Sequence, residues 1–165
     1  MNAEIEKLFI TYEISISDYP MEKYSHRTDE DLRSSIRAMN RRLDELHIEA
    51  AQICNILPLK PGKKFWVLSE IDWDYDPKLT PIFEKCKEME SKIFHLQNVV
   101  KMRNAIKEDN VKWILAQDKA YEWGKDYSDE ELIQFFKQHG LAMGFSSLTS
   151  ELVKNPNYLK EKAMI

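Results

Sequence analysis

Glycine and proline are scarce in this sequence of 165 residues, which contains four glycines and six prolines. Together they make up about 6% of the chain, roughly half of their usual share. A sandwich or barrel of many short strands needs a turn every ten residues or so, and such turns depend on these two residues. The composition therefore argues against a many-stranded β fold. It also leaves little material for the glycine-rich loops that bind phosphate groups, and no such motif is found.

Cysteine is equally scarce, and the two cysteines have no partner at a recognised spacing. Cys54 and Cys86 lie far apart in the sequence, each within an apolar helical pattern, without a CxxC motif. Isolated cysteines of this kind are usually reduced side chains in a hydrophobic core. We therefore expect a reducing compartment, and the cytoplasm is the predicted location.

Neither sign of charge dominates, and no long apolar run is present. The 24 lysines and arginines and the 28 acidic residues give a net charge of −4, so there is no general attraction to nucleic acid or anionic lipid. No stretch approaches the 18 apolar residues of a membrane-spanning helix. Glu4, Glu6 and Glu13 interrupt the N-terminal apolar stretch, so we expect no secretory signal.

Metal-binding patterns are incomplete in this sequence. Asp72, Asp74 and Asp76 resemble the first three ligand positions of an EF-hand calcium loop. However, Pro77 stands where that loop needs glycine, and Phe83 stands where it needs a bidentate glutamate. The four histidines lack ligand spacing, and HExxH is absent. We therefore expect neither a metal nor another cofactor.

Two long stretches free of glycine and proline carry the strongest periodicity. In the first stretch, apolar residues recur at alternating steps of four and three: Leu32, Ile36, Met39, Leu43, Leu46, Ala50, Ile53 and Leu57. The same pattern begins at Leu79, just before Pro81, and continues into the second stretch, which starts at Ile82: Leu79, Ile82, Cys86, Met89, Ile93, Leu96 and Val100. This spacing puts each set on one stripe of a helix. It predicts helices over residues 28–57 and 80–108, folded into an antiparallel hairpin with Leu57 beside residues 79–82.

Shorter helices are predicted after the hairpin. One begins at Asp109 or Asn110 and is ended by Gly124, and a second follows the capping box of residues 128–131. Another runs from Ser146 or Ser147 to Val153, and Pro156 begins a last turn. We thus predict a mostly α fold with three or so short C-terminal helices, arranged as one domain over residues 1–165.

The N-terminal segment fits two interpretations. Residues 8–16 alternate between apolar and polar side chains, which is typical of a half-buried strand. A minor two-stranded pairing of residues 8–16 with residues 65–71 would follow. However, Ile5, Leu8, Phe9, Tyr12 and Ile16 also share one face of a helix.

A basic ridge is the first candidate binding site. Arg33, Arg37 and Arg41 recur every four residues, and like charges at that spacing are unfavourable unless something neutralises them. Arg42 lies next to them. The hairpin register predicts that three further cations lie at the same end: Lys101, Arg103 and Lys107. Such a surface suits an acidic protein or, less well, a phosphate backbone. Neutralisation by neighbouring acidic side chains is the simpler alternative.

Aromatic side chains in the connection between the long helices form the second candidate. Trp66, Trp73 and Tyr75 lie in a segment that begins with lysines and continues with four acidic residues. The acidic residues disfavour nucleic acid. Aromatics in such a connection pack over the end of the hairpin or, where exposed, anchor a protein partner.

Arg42 and His47 form the third candidate. An arginine and a histidine separated by four residues in a helical protein resemble the catalytic pair of the HEPN ribonucleases. The resemblance covers these two residues alone. It implies cleavage of RNA at a dimer interface, with the guanidinium neutralising a phosphate and the imidazole moving a proton. The alternative is a solvent-facing His47 beside the apolar stripe.

The sequence as a whole favours a protein without catalytic activity that binds another protein. Long helical faces, segregated charge and the lack of an assembled catalytic motif support this hypothesis. It describes a cytoplasmic regulator, adaptor or inhibitor, a class that includes phage and mobile-element proteins. The apolar stripes also allow a homodimer. The competing hypothesis is an RNA- or nucleotide-acting enzyme that uses Arg42 and His47.

Overall fold

The computed structural model is mostly helical and describes residues 1–55, 71–138 and 145–163. Within these residues it contains seven α-helices: α1 Ala3–Thr11, α2 Asp29–Ile53, α3 Leu79–Lys107, α4 Val111–Asp126, α5 Asp129–Gln138, α6 Phe145–Lys154 and α7 Tyr158–Ala163. A single 3-10 turn covers Ile16–Asp18, and the described residues include no strand. The chain divides into two compact units. We call residues 23–100 the hairpin unit, and residues 1–22 with 101–165 the terminal unit.

The hairpin unit contains α2 and most of α3, which confirms the two predicted long helices. Thr28 caps α2, because its hydroxyl accepts a hydrogen bond of 3.1 Å from the Asp31 amide. Asp76 plays a similar part before α3, where its carboxylate accepts a hydrogen bond of 2.8 Å from the Lys78 amide. The two helices therefore begin one and three residues after a polar side chain that accepts a hydrogen bond from a nearby backbone amide.

The predicted apolar stripes form the core of the hairpin unit. Leu46, Ala50, Leu79, Ile82 and Cys86 are buried together. Within this cluster the residues of α2 come from its C-terminal half and those of α3 from its N-terminal half, which is the pairing that an antiparallel hairpin requires. Cys86 is therefore a core side chain, whereas Cys54 is half-buried, and both are free thiols.

The pKa of His47 in α2 is affected by a carboxylate of α3 within the hairpin unit. Continued along the helices, the pairing of Leu57 with residues 79–82 places His47 level with residues 89–92. Glu90 is one of the carboxylates that raise the pKa of His47, although burial has the larger and opposite effect. The charges of the two side chains therefore interact, and the register itself stays a prediction because Leu57 lies outside the described residues.

The terminal unit has a separate core in which α4 is the central helix. It packs mainly against α6 and also against α1, and α6 in turn contacts α7. Phe9, Tyr19, Leu115, Ala116 and Leu152 are among the fully buried residues. The prediction of a single domain over residues 1–165 stays a prediction.

The N-terminal segment is a helix, so the strand prediction for residues 8–16 is wrong. Asn2 caps α1 by accepting a hydrogen bond of 2.9 Å from the Ile5 amide. The helical face is buried, since Ile5, Phe9 and Tyr12 have exposed fractions of 9%, 1% and 3%. Ile10, which an alternating strand would bury with Leu8 and Tyr12, is 73% exposed. The predicted partner of this strand was residues 65–71, of which the structure describes only Ile71.

Three of the helices end at residues that have a side chain but adopt the left-handed conformation usual for glycine. Glu13, Asn55 and Asp109 have φ angles of 55°, 59° and 54°, and they follow α1, α2 and α3. After α1 the amide of Ile14 returns to the carbonyl of Phe9, and after α3 the amide of Asn110 returns to that of Ala105, both at 2.9 Å. These are Schellman-type helix ends without glycine.

The predicted stop at Gly124 is wrong, because α4 continues through this glycine to Asp126. The helix instead ends as the chain becomes extended at Tyr127. The next predicted start is confirmed, since the Ser128 hydroxyl accepts a hydrogen bond of 3.2 Å from the Glu131 amide. The last two helices begin one residue earlier and two residues later than the signals at Ser146 and Pro156.

Candidate functional site

The three arginines Arg33, Arg37 and Arg41, which we call the arginine ridge, lie on the outward side of α2. Successive helical positions are rotated by about 100°, so these residues fall roughly opposite the stripe that contains Leu46 and Ala50. All three arginines are exposed. This part of the site is therefore a continuous cationic surface on one helix.

The neutralisation of the arginine ridge is incomplete. Arg37 Nη2 forms an ion pair of 2.9 Å with Glu30 and also donates to the Ser34 hydroxyl at 3.0 Å. Arg33 and Arg41 form no hydrogen bond or ion pair within the described part of the chain. The ridge thus presents two guanidinium groups whose donors are directed to solvent.

The three cations at the end of α3 lie in very different surroundings. Lys101 is half-buried, pairs with Asp118 at 2.9 Å and lies 5.4 Å above the ring of Tyr19. Burial lowers the pKa of this lysine. Arg103 is half-buried and Lys107 is exposed. These residues belong to the terminal unit and the arginine ridge to the hairpin unit, so their union in one basic face stays a prediction.

Arg42 and His47 lie on different sides of α2. Five helical positions correspond to a rotation of about 140°, which directs the two side chains away from each other. Arg42 Nη1 forms an ion pair of 3.1 Å with Glu45. His47 is half-buried, and burial lowers its pKa against the opposing effects of Glu90 and Asp44. Helix geometry therefore does not join this pair within one chain.

The aromatic residues of the connection divide between core and surface. Trp73 is half-buried against the hairpin core, with its ring 5.1 Å from that of Phe83. Tyr75 is 56% exposed, and its hydroxyl accepts a hydrogen bond of 3.4 Å from Asn55 Nδ2. Trp66 lies outside the described residues. Of the two described members of this group, Tyr75 is the one that is available to a partner.

The acidic residues of the connection serve the local backbone. Asp72 accepts a hydrogen bond of 3.0 Å from the Asp74 amide, and Asp76 accepts one from the Lys78 amide. Both are Asx turns, which explain two of the three carboxylates without a ligand. Across residues 1–55, 71–138 and 145–163, no three histidine, cysteine or acidic side chains gather at metal-binding distances.

Sequence reasoning did not identify a second exposed row, which lies on α3. Phe83 and Phe94 are 36% and 48% exposed, and Lys87 and Glu90 lie between them on the surface. The four positions follow steps of four, three and four, which is the spacing of a single helical face. The spacing of these four residues can be seen in the sequence, but only two of them are apolar. The apolar stripe of α3 is a longer and more regular pattern, so it alone was used for prediction.

An ionisable pair in the terminal unit was also not anticipated. Burial, together with the nearby carboxylate of Asp18, raises the pKa of Asp118 to about 6. The ion pair with Lys101 at 2.9 Å favours the charged form of Asp118 and so tends to lower its pKa. Burial disfavours the charged form of both groups and has the larger effect. No sequence pattern marks this pair, because its members lie on different helices.

The chain was compared with models of known protein families, with curated proteins and with solved structures, and it matches none of them. Among the described residues, no helix combines the length and the apolar character needed to cross a bilayer. The argument for function therefore depends on the surfaces described above.

Proposed function

We propose that this protein acts by binding an acidic surface of another protein through the arginine ridge, as a regulator, adaptor or inhibitor. The observation that carries the proposal is the exposure of Arg33 and Arg41 without an ion pair in the described part of the chain. Cations placed one turn apart repel each other, and an acidic partner removes that cost. Complementary charge also speeds association and selects the partner.

A protein partner suits the ridge better than nucleic acid does. The chain as a whole has a net charge of −4, which disfavours a long polyanion. An acidic patch on a protein can be limited to the dimensions of the ridge. Glu30 pairs with Arg37, the middle arginine of the ridge. An acidic partner can displace Glu30, because both side chains of this ion pair are more than half exposed.

Charge reversal on the ridge tests the proposal. The variant Arg33→Glu, Arg37→Glu, Arg41→Glu is compared with wild type in affinity capture from the native host, with quantitative mass spectrometry. We expect recovery of the specific partner to fall by about tenfold or more. We also expect capture by the wild type to weaken as salt rises from about 50 to 300 mM.

A matched variant controls for net charge. Lys7→Glu, Lys85→Glu, Lys137→Glu changes the same number of charges at exposed positions on α1, α3 and α5. This variant should retain the partner. Equal recovery with both triple variants, or a bound fraction that nuclease treatment removes, would contradict the proposal.

The alternative function, RNA cleavage by Arg42 and His47, has one favourable observation. Burial lowers the pKa of His47, so its imidazole is neutral near pH 7 and able to accept a proton. Under the protein-binding proposal, the purified chain should not cleave single-stranded RNA. Cleavage that is lost in His47→Ala, while the circular-dichroism melt stays unchanged, would instead favour the enzyme.

A further inference from the structure

We infer that the exposed row Phe83, Lys87, Glu90 and Phe94, here called the α3 ridge, is the surface through which two copies of this chain associate. The four positions fall within about 60° around the axis of α3. Their centre lies about 90° from the buried stripe of Ile82, Cys86 and Ile93. The ridge is therefore distinct from the seam that holds the hairpin together.

The order of side chains along the α3 ridge is self-complementary. Phe83 and Lys87 lie as far before the midpoint between Glu88 and Met89 as Phe94 and Glu90 lie after it. A two-fold axis through this midpoint, with the two helices antiparallel, places Phe83 against Phe94 of the second copy. The same operation places Lys87 against Glu90. Each contact occurs twice, as in every two-fold symmetric interface.

The charges also select the antiparallel orientation. In a parallel pairing Lys87 would meet Lys87, and Glu90 would meet Glu90. Lys87 already lies 3.5 Å from Glu90 on its own helix. The antiparallel pairing therefore assembles a network of two lysines and two glutamates, whereas the parallel one brings together like charges.

The aromatic ends of the α3 ridge supply the apolar contact. The rings of Trp73 and Phe83 lie 5.1 Å apart with their planes tilted by 58°, and Lys87 Nζ lies 5.2 Å above the Phe83 ring. In the antiparallel pairing each end becomes a cluster of Trp73, Phe83 and Phe94 of the second copy. Clustered aromatic rings stabilise interfaces beyond the area that they bury.

The length of the α3 ridge indicates how tightly two copies of the chain should associate. Phe83 and Phe94 are about 16 Å apart along a straight helix, which is three turns. A contact of this length is at the lower end of interface size, where association is weak and transient. We expect a dissociation constant on the order of 10–100 µM, and this surface is independent of the arginine ridge.

Sedimentation equilibrium of the full chain between about 5 and 500 µM tests the inference. The wild type should shift from monomer to dimer across this range. Phe94→Glu should weaken dimerisation by about tenfold or more, because it buries a charge opposite an aromatic ring. A wild type that stays monomeric at the highest concentration overturns the inference, as does association that Phe94→Glu leaves unchanged.

Charge-reversal variants at Lys87 and Glu90 distinguish the loss of an interface contact from a loss of folding. Lys87→Glu and Glu90→Lys should each dimerise about tenfold more weakly alone, whereas an equimolar mixture of the two should form the heterodimer. The control is Lys92→Glu, which breaks the 3.0 Å ion pair with Glu88 on the opposite side of α3 and should leave dimerisation unchanged. Failure of the mixture to recover association, or an equal effect of the control, would overturn the proposed pairing. Reversal of the arginine ridge should leave this equilibrium unchanged.

Discussion

At the residue scale, the scarcity of glycine leaves a direct mark on the helix ends. The left-handed conformation costs a residue with a Cβ about 1–2 kcal/mol relative to glycine. Asparagine and aspartate reduce this cost through local hydrogen bonds, which suits Asn55 and Asp109. The longer side chain of Glu13 is not among those that reduce this cost by hydrogen bonding to the local backbone. It forms ion pairs instead, at 2.8 Å with Lys160 and 3.9 Å with Lys119.

Glycine substitutions at two of these helix ends should therefore have different effects. Asp109→Gly removes the conformational cost and should stabilise the protein by about 0.5–1 kcal/mol after the larger backbone entropy of unfolded glycine is included. Glu13→Gly loses its ion pairs as well, so the gain should be smaller or absent. Thermal or urea unfolding measures both variants. A larger gain at Glu13 than at Asp109 would show that the ion pairs of Glu13 contribute nothing.

Asp118 should give the protein a specific pH dependence. Its pKa in the folded state, about 6, is above the ordinary value of 3.8, so the folded state binds the proton more tightly than the unfolded state does. The contribution of this carboxyl to stability is then greatest below about pH 4 and is lost as the pH rises through 6.

Comparison with Asp118→Asn isolates that contribution, because asparagine does not titrate. The free energy of unfolding of the wild type minus that of the variant should decrease between pH 4 and pH 7. Denaturant titrations at four or five pH values are sufficient. A difference that stays constant or increases over this range would show that the ion pair with Lys101 dominates the titration of Asp118.

At the scale of single elements, α1 shows how two sequence patterns compete. The alternating pattern and the helical pattern share Leu8 and Tyr12, but they disagree about Phe9 and Ile10. The helix prevails because Asn2 caps its first turn and its apolar face can pack against α4. A strand would instead need a partner for its backbone groups, and the described residues contain no strand.

Two neighbouring alanine substitutions test this assignment. Phe9→Ala should destabilise the protein by about 3–5 kcal/mol, since the ring is 1% exposed and packs edge-on against Tyr19 at 5.3 Å. Ile10→Ala should change the stability by less than about 0.5 kcal/mol, because that side chain is 73% exposed. Chemical unfolding gives both values. The reverse order would favour the strand.

The long helices were the most predictable elements, and the comparison of their first and last residues shows why. Thr28 and Asp76 accept hydrogen bonds from backbone amides three and two residues further along the chain, so a local polar side chain precedes each helix start. The helix ends were less predictable, because Gly124 and Asn55 break the usual correspondence between glycine and termination. The α4 helix continues through Gly124, although packing does not require a glycine there, since a Cβ would meet no atom within 4 Å.

At the scale of the whole molecule, the buried residues of the described chain include two separate hydrophobic clusters, one in each unit. The two cores share no residue, and α3 contributes to both units through its two ends. Sequence periodicity gave no indication of the boundary between Val100 and Lys101, because the heptad pattern extends up to that point. The assignment of Lys101 to the terminal unit follows from Asp118 and Tyr19, which are distant in sequence.

The sequence alone determined the mostly helical class, the two long helices, their apolar stripes and the exposed arginines. These features follow from local spacing, since a helix satisfies its own backbone and places residues three and four apart on one face. Only the tertiary structure decided the state of residues 3–11, the burial of Lys101, the helix ends without glycine and the exposure of the α3 ridge. Each depends on which distant side chains are packed nearby, because burial and pairing are properties of neighbours in space.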